Sequence, residues 1–137
     1  MIKAQLVEIE RQSRRPRVRT RVVVQFNPET IQISYASPPD GPSTSTLRLQ
    51  LWFDVGTEAT TAEPDVRQLT SRVASFINRR SDGTPPLVRF AWGSFRFDGV
   101  LEALDETLEF FAADGRALRA QLSLVLRSDY IPSQAAR

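Results

Sequence analysis

The stretch PPLVRFAWGSFRFDGV, residues 85–100, decides how this chain folds. Val88, Phe90 and Trp92 fall two apart, Gly93-Ser94 interrupts them, and Phe95 and Phe97 resume the alternation. A two-residue break that opens with glycine between two alternating runs marks a tight hairpin, because glycine supplies the positive φ needed at the first central position of a type II′ turn. That turn fixes the register. It sets Trp92 opposite Phe95 and Phe90 opposite Phe97 on one face, with Arg89 opposite Asp98 and Ala91 opposite Arg96 on the other. Such cross-strand pairs contribute about 0.2–1 kcal/mol each, the charged one less where it is exposed.

Upstream of the hairpin, PDVRQLTSRVASFINRR (residues 64–80) changes period: Val66, Leu69, Val73, Phe76 and Ile77 follow the three-and-four spacing of an amphipathic helix. Pro64 suits its first position, Asp65 its positive end, and Arg79 and Arg80 its negative end. Residues 3–10, 19–26, 31–35 and 47–55 read as strands. Leu47, Leu49, Leu51 and Phe53 alternate with Arg48, Gln50 and Trp52, which leaves Trp52 on a polar face. Downstream, the hairpin's second strand runs through Glu102 towards Phe111, Asp114-Gly115 turns the chain, and Leu118, Ala120, Leu122, Leu124 and Leu126 mark a last long strand. Residues 11–18 and 37–46 are expected to be flexible loops and 129–137 a frayed tail. The count is six or seven antiparallel strands with one helix in a single domain, residues 1–137. One helix cannot cover both faces of such a sheet, so the fold class is mostly β: a sheet curled into a barrel or sandwich with a flanking helix.

A chain of 137 residues without cysteine or histidine cannot build disulfides, thiolate zinc sites or a Ser-His-Asp arrangement. Any catalysis would fall to carboxylates, tyrosines, arginines or Lys3, so a non-enzyme without cofactor or metal is expected. No apolar run is long enough for a membrane span, and the charged start MIKAQLVEIERQ lacks the apolar stretch of a signal peptide, which points to assembly in the cytoplasm. Net charge is only +2, but its distribution is uneven. Arg11, Arg14, Arg15, Arg17, Arg19 and Arg21 crowd into residues 11–21, while Asp98, Glu102, Asp105, Glu106, Glu109 and Asp114 lie in the later half. Opposite poles favour contact between copies. The arginines also allow a second reading, a nucleic-acid-binding β-barrel, although the aromatics that would stack on bases sit on faces expected to be buried. A carboxylate pair for hydrolysis among Glu102, Asp105, Glu106 and Glu109 competes with a simpler acidic stripe facing solvent or a partner. Trp52 points either to a contact surface or to a site covered by the helix or a loop. With Arg89, Arg96 and Asp98 on the hairpin's polar face, these residues form the candidate interface.

Taken together, VQFNPETIQISY (24–35), LRLQLWFDV (47–55), PDVRQLTSRV (64–73), PPLVRFAWGSFRFDGVLEALDE (85–106) and DGRALRAQLSLVL (114–126) resemble, in order and spacing, the tube-domain proteins of contractile injection systems. More narrowly, they resemble the hub-to-tube adaptor, or tube initiator, of phage-tail-like extracellular systems. The positions that carry the resemblance are Phe26, Asn27 and Pro28; Phe90, Trp92, Gly93, Phe95, Phe97 and Gly99; and Asp114, Gly115, Leu118, Arg119 and Ala120. The resemblance implies a curled antiparallel sheet with a flanking helix and a six-membered ring lining a channel. It also implies a place between the spike hub and the inner tube protein in a particle that can be released from the cell. Two departures stand out: many adaptors carry a C-terminal peptidoglycan-binding LysM module that this sequence does not show, and LEFFAADG (108–115) replaces a more usual Thr-x-Phe pattern.

Overall fold

The computed structural model describes residues 2–10, 18–56 and 65–129. Their elements run β1 (Gln5–Ile9), β2 (Val18–Val23), β3 (Ile31–Ala36), β4 (Thr44–Asp54), α1 (Arg67–Ala74) with a 3-10 turn (Ser75–Ile77), β5 (Leu87–Trp92), β6 (Phe95–Phe111) and β7 (Ala117–Ser128). All seven strands join one antiparallel sheet in the order β2-β1-β5-β6-β7-β4-β3. The sheet curls but does not close into a barrel, because β2 and β3 remain edges.

The hairpin forms in the register its sequence dictates. Trp92 faces Phe95, Phe90 faces Phe97, Arg89 faces Asp98 and Ala91 faces Arg96. Gly93 has φ 61° while Ser94 keeps a negative φ, as a type II′ turn requires. The Phe90 and Phe95 rings meet edge to face, with centroids 5.9 Å apart.

β6 then does what no simple hairpin strand does: it changes partners. Residues 95–99 pair with β5, and residues 100–111 pair with β7. The handover falls at Gly99, where a Cβ would lie 2.7 Å from the carbonyl oxygen of Arg127, so only glycine lets the two backbones approach. A bulge between Leu101 and Ala103 follows and shifts the alternation by one residue. Leu101, Leu104, Glu106 and Leu108 thereby lie on the covered face, and Asp105 on the exposed one. The bulge keeps the leucines inside.

The core is shared by all layers. Leu6 and Val22 from β1 and β2, Phe90 from β5, Leu47, Leu49, Leu51 and Phe53 from β4, and Ala120, Leu122, Leu124 and Leu126 from β7 pack with Val66, Val73 and Phe76 of the helical segment. Burying each of the larger side chains contributes about 1.5–3 kcal/mol. The helix is pinned at its start, where Val66 N–H donates to the Ala117 carbonyl and the Asp65 carboxylate accepts from Arg67 N–H. Arg79 and Arg80 do not serve its C-terminal end as expected: α1 stops at Ala74, its last-turn cation is Arg72, Arg79 donates to the Gly83 carbonyl, and Arg80 is paired with Glu8. β4 also starts earlier than expected. Thr44, Ser45 and Thr46 belong to the strand rather than to a 37–46 loop, with Ser45 buried.

Candidate functional site

Three features of this sheet stand out as candidate contact sites. The first is a pair of backbone edges. Among the described residues β3 pairs only with β4, and β6 from residue 100 onward pairs only with β7. Beside residues 100–102 the open side of β6 is flanked by Ile77, Arg79 and Pro85, and among the described residues no strand pairs with the open side of residues 103–111. β3, IQISYA, has no charge, no proline and no bulge, the devices that ordinarily shield an edge strand. The other edge, β2, is treated differently: Arg72 of α1 reaches over to donate to the Arg21 carbonyl at 2.9 Å.

The second feature is the seam where the curled sheet almost meets itself. Gln25, just past β2, accepts from Asp54 N–H and donates to the Asp54 carbonyl, both at 2.8 Å, so one side-chain amide imitates a strand pair and ties β2 to β4. Asn27 does the same for β1, accepting from Ala4 N–H and donating to the Ile2 carbonyl at 2.9 Å. The FNP signature therefore has a local reason. Asn27 is the clamp, and Gln25, which the sequence reading passed over, is its counterpart.

The third is an aromatic cleft of about 380 Å3 beside the seam, lined by Phe26, Trp52, Glu29, Asp54 and Arg119 over Phe53. Trp52 is 38% exposed, and no described helix or loop covers it. Arg119 donates to Asp54 at 3.3 Å and lies 4.7 Å from the Phe110 ring centroid. Phe110 has φ 56°, an unusual conformation for a bulky residue, and both it and Phe111 stand exposed. A second concavity of about 280 Å3 separates Ile33 and Tyr35 of β3 from Phe95 and Phe97 of the hairpin.

Those expected interface residues that lie among the described residues are spread over β2, β4, β5 and β6. Arg11, Arg14, Arg15 and Arg17 lie outside the described residues, Arg19 sits in β2, and Arg21 is exposed. Arg89 and Asp98 satisfy each other through two hydrogen bonds of 2.8 and 3.0 Å, and Asp98 holds the Arg89 guanidinium above its ordinary pKa. Arg96 stays exposed beside them. The acidic stripe is corrected by the bulge. Glu102 binds Arg127 at 2.6 Å and Asp105 is exposed, whereas Glu106 turns inward to accept from the buried Thr70 hydroxyl at 2.7 Å and pair with Arg67. Asp114 accepts from Arg116 in the β6–β7 turn, with Gly115 at φ 91°. Leu118 is half-buried and Ala120 fully buried.

Chemically the described arginines are largely engaged, since Arg67, Arg80, Arg89, Arg116, Arg119 and Arg127 each pair with a carboxylate. Among the described residues no group of three acidic side chains comes together as a metal site, and no helix is long and apolar enough to cross a membrane. What this surface offers is open backbone and aromatic contact area. No curated protein matches the sequence. The family model described as contractile injection system tube protein matches residues 39–137, which take in β4, the helix and all of β5–β7. The match spans well over half of the sequence, and the chain belongs to the contractile injection system tube protein family.

Proposed function

We propose that this chain is a structural protein whose copies close side by side into a six-membered ring of a phage-tail-like injection particle. The ring would sit at the base of the tube, joining the spike hub to the inner tube protein and offering tube growth a template. Family membership supports the structural role. The observation that carries the ring is the pair of bare edges on one four-stranded unit, β6(100–111)-β7-β4-β3. An edge at each side of the same unit lets β3 of one copy meet β6 of the next, a head-to-tail contact that closes when the rotation per copy divides the circle. The helix and the β2-β1-β5 layer pack on the core face of that unit and need the larger circumference, which puts the opposite, polar face of β4 and β7 towards the channel.

Adjacent proline substitutions test this reading. In an antiparallel strand, successive N–H groups point to opposite sides, so of Gln32→Pro and Ile33→Pro one removes a bond to β4 and the other only an outward donor. Native mass spectrometry and negative-stain images should show rings for the wild type. The variant that keeps its β4 ladder and its circular dichroism spectrum should stay monomeric. Rings from both variants, or a monomeric wild type at all concentrations, would refute the proposal.

A further inference from the structure

The aromatic cleft has chemistry that selects its occupant. Two exposed aromatic side chains, Phe26 and Trp52, share it with two carboxylates, Glu29 and Asp54. Asp54 is already engaged by Arg119 and by Gly56 N–H at 2.8 Å, while Glu29 pairs with no cation among the described residues. Aromatic faces beside a spare carboxylate fit a guanidinium, which can lie flat on a ring and still donate sideways to an acid.

We infer that this cleft receives an arginine from residues 11–17 of a second copy of this chain. The sequence there, RQSRRPR, carries four arginines and no acid. Distance argues against the copy's own segment. Residues 10–17 connect Ile9 to Val18, which are paired across β1 and β2, whereas the cleft lies past the far end of β2, where Val24 N–H bonds the Ala4 carbonyl. From Val18 to Phe26 the chain spans up to about 26 Å, and a connection of eight residues returning on itself carries its backbone only about 14 Å, to which an arginine side chain adds about half as much again. Ile9 and Val18, which flank the arginine segment, and the cleft thus lie at opposite ends of the β1–β2 pair, an arrangement that suits copies stacked head to tail. The inference rests on the assembly reading only in taking the second copy to be a neighbour along the tube axis.

The test titrates the full-length chain with a synthetic peptide of residues 9–19 and follows backbone amide shifts. Shifts at Phe26, Glu29 and Trp52 are expected. Binding should weaken about five- to tenfold for Glu29→Gln and for Trp52→Leu chains, and for a peptide in which lysine replaces every arginine. Shifts confined to other residues, or undiminished affinity for the lysine peptide or for the Glu29→Gln chain, would overturn the inference. In images, a chain with Arg14, Arg15 and Arg17 changed to Gln should give rings that no longer stack, and persistent stacks would equally overturn it. Absence of rings in the wild type would strike the assembly reading alone, since the peptide titration decides the cleft independently.

Discussion

Gly93 and Gly99 stand six residues apart and are glycine for opposite reasons. At Gly93 a Cβ would meet nothing within 4 Å, but φ 61° disfavours any L side chain. Gly93→Ala therefore isolates the backbone cost, about 1 kcal/mol. At Gly99 the cost is contact: the Cβ would press on the Arg127 carbonyl at 2.7 Å, where backbone rather than a flexible side chain must yield. Gly99→Ala is expected to cost about 1–3 kcal/mol. Urea midpoints of the two variants should fall in that order, and a Gly99→Ala protein as stable as wild type would contradict the handover geometry. Asp114 gives a residue-scale pH signature. Its hydrogen bond from Arg116 Nε at 2.7 Å, with a further one from Arg116 N–H, holds its carboxyl below the ordinary carboxylate pKa. A folded value below the unfolded one means that the turn's contribution is complete above the ordinary carboxylate range and is lost as pH falls through the lowered folded value. A carboxyl NMR titration should show the Asp114 midpoint rising when Arg116 becomes Ala.

Elements built from neighbouring residues could be read in advance, and those built from distant ones could not. The β5–β6 register followed from Gly93-Ser94 because a two-residue turn leaves one pairing compatible with its geometry. The bulge in β6 also left a trace. Leu101 and Leu104 are three apart, which strict alternation cannot place on one face, and allowing for that would have turned Glu106 inward and left Asp105 outside. Nothing local told Gln25 from any surface glutamine, since its partner, Asp54, lies 29 residues away. The same holds for β1, whose pairing with β5 spans some eighty residues of sequence. The aromatic cleft shared this fate: Trp52 was visible as an oddity on a polar strand face, but Phe26 and Arg119 joined it only through folding. The seam carries a prediction at this scale. Gln25→Ala strips two backbone partners from Asp54 in a part-buried position and should destabilise the chain by about 1–3 kcal/mol. Hydrogen exchange at Asp54 should accelerate beyond what the global loss explains, because the amide is then protected by nothing at the seam. Unchanged protection would mean that the curl is held elsewhere.

At the scale of the molecule, the two outer strands of one sheet are finished differently, and that asymmetry separates an isolated domain from a building block. β2 has a helix arginine lying across it and arginines along it. β3 has neither, and its Tyr35 stands 60% exposed beside the concavity that faces Phe95 and Phe97. Sheets that must remain solitary place charge on such a strand, because a lysine cannot be desolvated between two ladders without a partner. The same substitution should therefore act differently at the two ends. Tyr35→Lys puts an ammonium where the next copy's strand would dock and is expected to abolish rings while leaving the monomer folded, since the side chain is largely in water already. Val23→Lys, on an equally accessible side chain of β2, should leave rings intact, because Arg72 already occupies that border. Sedimentation velocity on the two variants over a range of concentrations distinguishes the outcomes: loss of assembly with Val23→Lys but not with Tyr35→Lys would move the contact to β2, and Arg72 would have to swing away from the Arg21 carbonyl to admit it.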